Sequence, residues 1–334
     1  MKVAVVGAGI TGRCIAWRLA ASGHEVDLYE PRPMDHTEGS SHGRSRIVRQ
    51  AYPDPFWTRI LRTGYPMWRD LEAASGQALV NEVGLLYIGP EGHPEIEEGA
   101  EGLRECDVPF ERLDVEELTR RFMTLRWHDG EEAIFTPEAG WVNADAARAA
   151  AWRAAQAAGV KHISRTYDGD SSDFVVWAVG SWAAERFPRL PLTVTRQFAF
   201  YFSGRHDGPA WIEAASDHPY GFPNEPGEGT VKVALHSPGP PREVTEPPAE
   251  LIARTQVAAT YRLRELDPLP REVVPCLYTN APDDRFFIYW EDSRNLVVSA
   301  CSGHGFKFGP WLGTFVGQVL ASQEDLADWP EFQP

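Results

Sequence analysis

Lysine is almost missing from this chain: of 32 basic residues only Lys2, Lys161, Lys232 and Lys307 are not arginine. Codon usage explains such a skew better than function does. Even so, each remaining lysine invites attention, because a compact ammonium on a flexible stem does chemistry that a planar guanidinium does not. Cysteine is also scarce. Cys14, Cys106, Cys276 and Cys301 lie far apart with no Cys-x-x-Cys pair, which argues against a disulfide framework and against a zinc site, so no metal is expected. Positive charge is in deficit: the net charge is −16, a sign that repels nucleic-acid phosphates and anionic lipid surfaces. Long apolar runs are lacking. Stretches such as Phe174 to Val179 fall far short of the roughly 20 residues that span a bilayer, and the chain opens into a glycine-rich loop rather than a cleavage site. The expectation is a soluble, unexported, cytoplasmic protein with no nucleic-acid or membrane partner.

What is present begins at once. Lys2-Val3-Ala4-Val5-Val6 is a short apolar run, followed by Gly7-Ala8-Gly9-Ile10-Thr11-Gly12 and an amphipathic stretch from Arg13 to Ser22 closed by Gly23. The pattern predicts strand, tight glycine turn and helix. A second apolar run from Glu25 to Tyr29 ends in Glu30, 18 residues after Gly12. Together they form a dinucleotide-binding unit: Gly7, Gly9 and Gly12 let the backbone approach a pyrophosphate at the helix N-terminus beside Ile10 and Thr11, and Glu30 accepts from a ribose hydroxyl. The unit by itself does not distinguish NAD from FAD.

Further on, the spacing predicts a helix from Trp57 to Ala74, then a helix capped by Asn143, running to Ala158 and stopped by Gly159. A strand Val160 to Ile163 follows. Phe174 to Val179 reads as a buried parallel strand ending at Gly180, a turn of the kind that approaches a cofactor from its other side. Alternation in Val194 to Phe202 and Thr230 to Leu235 predicts antiparallel strands, residues 237–249 a proline-rich loop, and Glu250 to Glu265 a helix. At 334 residues and 43% apolar, the chain has material for about two domains, here a discontinuous nucleotide domain with a sheet-rich domain threaded through it.

Three clusters resemble one family, the flavin-dependent amine oxidases typified by monomeric sarcosine oxidase and N-methyltryptophan oxidase, within the D-amino-acid-oxidase-like group. They are Gly39-Ser40-Ser41-His42-Gly43 with Arg46 and Arg49; Cys276-Leu277-Tyr278-Thr279 with Pro282-Asp283; and Ser302-Gly303-His304-Gly305-Phe306-Lys307. Tyr220-Gly221-Phe222-Pro223 and Val231 to His236 are similar to the family's substrate-domain motifs. The likeness runs in order over most of the chain.

The resemblance implies an α/β fold: a glutathione-reductase-type, Rossmann-like FAD-binding domain (1–80, 138–190 and 284–334) with a discontinuous α+β substrate domain on an antiparallel sheet (81–137 and 191–283). It implies FAD, attached covalently through Cys276; a free cysteine is otherwise most often a small buried hydrophobe. It implies a lysine over the flavin at Lys232, where positive charge stabilises the anion formed as oxygen takes an electron. From pattern alone, an ordinary edge-strand lysine fits as well. His236 matches a substrate-pocket histidine, Arg49 and Lys307 a pair that grips a substrate carboxylate, and Arg46 and His42 residues near the flavin ring. Ser41, Gly180, Gly303, Gly305 and Phe306 join the cofactor set, with Lys307 at its margin, and Tyr220 and Tyr278 line the pocket. Two departures stand out. Ile288-Tyr289-Trp290 sets two aromatics where relatives are smaller or acidic, which predicts Trp290 in a narrowed, ring-selecting substrate cavity. The stretch Ser164 to Ser172 is too short for the usual β-meander.

The expected activity is oxidation of a carboxylate-bearing secondary amine or cyclic imino acid to an imine, with oxygen reduced to hydrogen peroxide, by a monomer. A flavin dehydrogenase with another electron acceptor, a flavin-binding partner protein of weak catalysis and, more remotely, an NAD dehydrogenase remain as alternatives.

Overall fold

The computed structural model describes residues 1–225 and 227–334. The apolar opening strand Lys2–Val6 forms the centre of a six-stranded sheet, paired in parallel with Glu25–Tyr29 on one side and Phe174–Trp177 on the other. Lys161–Ile163 closes one edge, and the antiparallel pair Asn295–Ser299 and Phe287–Trp290 closes the other. Strands so placed are covered on both faces, which is why their sequences read as unbroken apolar runs. Helix Ile10–Ala21 packs on Ala144–Ala157 and Gly309–Leu320. A Cβ at Gly313 would lie 2.5 Å from the Cys14 carbonyl oxygen, so glycine lets the helices touch.

A second sheet of eight strands runs Glu265–Asn280, Thr193–Arg205, Thr230–Leu235, Pro219–Gly221, Ala210–Glu213, Leu85–Pro90, Glu131–Thr136 and Glu111–Asp114. It is antiparallel except where Ala210–Glu213 runs parallel to Leu85–Pro90, so the expected antiparallel sheet is in fact mixed. A small sheet of Arg46–Val48, Gly140–Val142 and Val80–Asn81 sits apart from both and carries the arginine-rich segment. Among the described residues no helix is long and apolar enough to cross a membrane.

Several sequence expectations need correction. The helix read from Trp57 to Ala74 is two, Pro55–Gly64 and Met67–Ser75, divided at Pro66, whose ring and missing N–H interrupt the ladder. The helix placed at Glu250 to Glu265 is Ala249–Arg262, and Glu265 already starts the long strand. Pro268, Pro270 and Pro275 mask that strand in the sequence, since proline argues against a ladder position. It is an edge strand, where prolines are tolerated. Lys232 lies on an interior strand between Thr193–Arg205 and Pro219–Gly221, which rules out the edge-lysine alternative.

Candidate active site

Two joined cavities lie between the large sheets. The first, about 410 Å³, is lined by Gly7, Gly9, Ile10, Thr11, Glu30, Ser41, Gly180, Gly305 and their neighbours. Its floor needs glycine: Gly7 has φ +101°, and a Cβ there would stand 2.4 Å from the Ala178 carbonyl oxygen. Gly12 lines neither cavity. A Cβ on it would come 1.9 Å from the Gly7 carbonyl oxygen, so it acts by letting helix and loop close up. The Ser41 Oγ accepts from the Ile10 amide at 3.2 Å, and the buried Glu30 accepts from the Ala8 and Arg32 amides at 3.2 and 3.1 Å.

Sequence reasoning missed two buried arginines behind this loop. Arg13 donates to the carbonyls of Ala8 (2.7 Å), Arg148 (2.9 Å) and Met34, and Arg148 donates to that of His36 at 3.0 Å. Burial and the neighbouring Arg148 push Arg13 down to about 10. Their signal was faint, since arginine on a helix normally marks a wet face. What hides them here is the number of carbonyls that the surrounding loop leaves to be satisfied.

The second cavity, about 870 Å³, shares Arg46, Tyr278, Gly303 and Phe306 with the first, so the two form one channel. His42, Arg46, Arg49, Tyr220, Lys232, His236, Cys276, Tyr278 and Lys307 all line it. Trp290 does not. Its strand belongs to the first sheet, where the ring packs 5.7 Å from Phe174, while the Tyr289 hydroxyl donates to Glu291 at 2.9 Å. The expected ring-narrowed cavity is therefore overturned: the departure from the family's pattern marks a changed position, but its side chains pack within the first sheet's layer instead of entering the cavity.

Lys232 is 4% exposed, with Nζ donating to the Ser45 carbonyl at 2.9 Å and lying 4.6 Å from the Phe222 ring centroid. Burial, then Arg46, pushes it down to about 7. The Arg46 guanidinium is tied back to its own loop, donating to the carbonyls of Ser45 (2.9 Å), Ser40 (3.0 Å) and His42 (2.6 Å). His42 and His236 are each pushed down to about 4, chiefly by burial, aided by Arg46 and Arg49 respectively. Cys276 is held as a thiol by burial.

At the other end, Arg49 stacks 4.1 Å over the Tyr52 ring, and its Nη1 is buried without a hydrogen-bond partner. Lys307 Nζ donates to the Tyr52 hydroxyl at 2.8 Å and the His304 carbonyl at 2.7 Å. Among the described residues no acid forms an ion pair with Arg46, Arg49, Lys232 or Lys307. Tyr52 was not anticipated, and His304 only as part of its motif.

The chain belongs to the DAO family of FAD-dependent oxidoreductases, whose family model matches residues 2–318. It is 30% identical to human peroxisomal sarcosine oxidase over 367 aligned positions, covering 97% of this chain and 93% of that one. It is 30% identical to monomeric sarcosine oxidase of Streptomyces avermitilis, with 95% and 92% covered. In fold it is similar to NikD, an amino acid oxidase of nikkomycin biosynthesis, with a TM-score of 0.82 at 23% identity and 99% and 96% covered. It is an FAD-dependent oxidoreductase of the amine and amino-acid oxidase class, acting on CH–NH bonds.

The residues present fit that cofactor. The glycine cradle and Glu30 suit its adenosine and pyrophosphate, and buried polar atoms that lack partners, Ser40 Oγ and Ser181 Oγ in the first cavity and His42 Nε2 in the second, mark where a polar ligand would complete the hydrogen bonding.

Proposed function

We propose that this chain oxidises a secondary amine or cyclic imino acid bearing a carboxylate, passing the electrons to dioxygen to give hydrogen peroxide. The observation that carries this reading is the pair of basic side chains, Arg49 and Lys307, on the wall of the second cavity. Among the described residues, the Arg49 Nη1 is buried without a hydrogen-bond partner and Lys307 forms no ion pair. Buried basic groups without an acid are costly to charge alone and become favourable as cations when a ligand brings one. A carboxylate gripped there holds the amine in the body of the cavity, where Tyr220, Tyr278 and His236 leave a largely neutral wall, because His236 is uncharged near neutral pH.

When bound, FAD supplies the two-electron acceptor for the C–H bond beside nitrogen. The residues do the rest: Arg49 and Lys307 orient, the buried aromatic rings exclude water, and Lys232 and Arg46 set positive charge where negative charge must develop as oxygen is reduced. Cys276 lines the same cavity beside Arg46 and Lys232, a position that supports covalent attachment of the flavin. Acid-precipitated protein is then expected to stay yellow, and Cys276→Ser to release its flavin.

The test is anaerobic bleaching of the flavin by N-alkyl and cyclic amino acids, each beside its decarboxylated partner. Charge-assisted bonds contribute roughly 1.5 to 3 kcal/mol each, so the decarboxylated compounds should be at least about tenfold poorer. Equal rates for both sets would refute the clamp. Admitting air should restore the oxidised spectrum within turnover time; a flavin that stays bleached would mark a dehydrogenase.

A further inference from the structure

The donors and acceptors around Lys307 are fixed from outside the cavity. The His304 Nε2 lies 2.9 Å from the Asp284 carbonyl oxygen, which can only accept, so that nitrogen carries the hydrogen. Burial keeps the imidazole neutral, so Nδ1 is an acceptor. The Tyr52 hydroxyl, 3.2 Å away, must therefore donate to Nδ1 and accept from Lys307 at 2.8 Å. The His304 carbonyl takes a second Lys307 hydrogen at 2.7 Å. Two of the three non-carbon positions on Nζ are thus committed to N–H donors. The third is either a further N–H or a lone pair, and it belongs to the cavity that Lys307 lines.

The groups facing this position decide which. Arg49 reaches in from the segment after Arg46–Val48, His236 from the end of Thr230–Leu235, and Tyr52 and His304 from either side. Arg49 is charged, His236 and His304 are neutral, and none brings a negative charge. Asp284 contributes its backbone carbonyl, while burial pushes its own carboxyl upward. Burial and Arg49 hold Lys307 well below the ordinary lysine range.

We propose that Lys307 enters the cycle as the neutral amine and is the base that takes the ammonium proton from the incoming amino acid. The N–H bond of the substrate ammonium breaks, an N–H bond forms on the Lys307 lone pair, and no other reactant is consumed. The substrate is left as an anion with a neutral amine, the form able to surrender hydride. Its carboxylate then faces Arg49 and a newly charged Lys307, so binding and activation become one event. The two ends of an α-amino acid are separated by a single carbon, which brings the ammonium within reach of the group that receives the carboxylate. This inference rests on the carboxylate-clamp reading above.

The experiment uses the holoenzyme and two ligands it cannot oxidise. Cyclopentanecarboxylate has a carboxylate and no amine; 2-aminoisobutyrate is a zwitterion with no hydrogen on the carbon bearing nitrogen. Calorimetric titration in buffers of different ionisation enthalpy should show uptake approaching one proton per site for the first and near zero for the second, which carries its own proton. With four lysines in the chain, 13Cε-lysine spectra are simple enough to follow, and Lys307→Arg identifies the resonance. That resonance should move from the neutral to the charged position with either ligand. Lys307→Arg keeps a cation but cannot act as a base, so proton uptake should vanish. Its kcat/KM should climb about tenfold per pH unit from about pH 7 to about pH 9, since substrate must then arrive deprotonated. Binding of cyclopentanecarboxylate with no uptake and an unmoved Lys307 resonance would overturn the base and leave the clamp standing. Failure of both ligands to bind would overturn the clamp, and the base with it.

Discussion

The two joined cavities achieve recognition in opposite ways. The first is shaped by backbone: glycines that admit no Cβ, amides at a helix N-terminus, and Glu30 already satisfied by two amides. The second is shaped by basic groups left without an acid, with Arg46, Arg49, Lys232 and Lys307 on its wall and no ion pair to any of them in the described residues. The first region has its shape fixed by backbone and leaves only hydroxyls such as Ser40 Oγ and Ser181 Oγ for a ligand to satisfy, whereas the second waits for a ligand's charge. The difference suits their tasks, because a resident cofactor needs a fixed bed, whereas a transient substrate and a developing anion need a field that answers to charge.

The contrast breaks most severely at Gly12. A methyl group 1.9 Å from the Gly7 carbonyl oxygen cannot be absorbed by a flexible side chain, because the clash is with backbone. Gly12→Ala should purify nearly flavin-free, measured as the ratio of flavin to protein absorbance, or fail to fold at a cost of roughly 1 to 3 kcal/mol or more. Retention of a full complement of flavin would show that the bed is less rigid than the geometry implies.

A change in the second cavity should leave binding intact and alter kinetics instead. Lys232→Met keeps the bulk and removes the charge. Flavin content and anaerobic reduction by substrate should change little, while reoxidation slows by about 10² to 10³, the cost of losing a preorganised charge opposite a developing anion. Stopped-flow mixing with oxygenated buffer separates the two half-reactions. Equal reoxidation in mutant and wild type would assign the charge elsewhere, with Arg46 next in line.

Stability against pH sharpens the same distinction. His42 and His236 titrate near 4 in the folded protein, against 6.5 for the ordinary side chain. In that window the unfolded chain binds more protons, so stability rises with pH and is lost as pH falls through it. Lys232, pushed from 10.5 to about 7, adds a rise across its own higher window by the same sign. Each group contributes on the order of 1 kcal/mol per pH unit inside its window. Melting temperature should therefore climb from acid to neutral pH, and Lys232→Met should flatten the alkaline part alone.

The two regions also differed in how far the sequence disclosed them. The glycine turn is a local pattern, the six residues from Gly7 to Gly12, so spacing and side-chain type suffice to read it. The second cavity is assembled across the chain: Lys307 meets Tyr52 over 255 positions. There the motifs identified Arg49, Lys307, Lys232 and Cys276, but not Tyr52, whose work is to satisfy neighbours, and they gave no sign that an edge strand would carry three prolines. The likeness to relatives also misplaced Trp290, because a departure from a motif marks the position that differs and not what its side chain meets.

Trp290 offers the smallest and most discriminating test. Its ring packs on Phe174 at 5.7 Å against the core of the cofactor domain, and Ile288 and Val298 pair beside it in the same sheet. Trp290→Leu removes part of an aromatic contact in a half-buried site, so the expected loss is about 1 to 3 kcal/mol, at the low end for a large-to-small change. Because the ring lies outside the second cavity, relative kcat/KM among small, cyclic and aromatic amino acids should hold to within about twofold while the melting temperature falls. A ring that selected substrate would produce the reverse: unchanged melting and a reordered series of substrates. That outcome would mean that the strand pair Phe287–Trp290 and Asn295–Ser299 reaches the substrate through a movement of the sheet edge, and that the division between a fixed bed and a responsive cavity fails at this border.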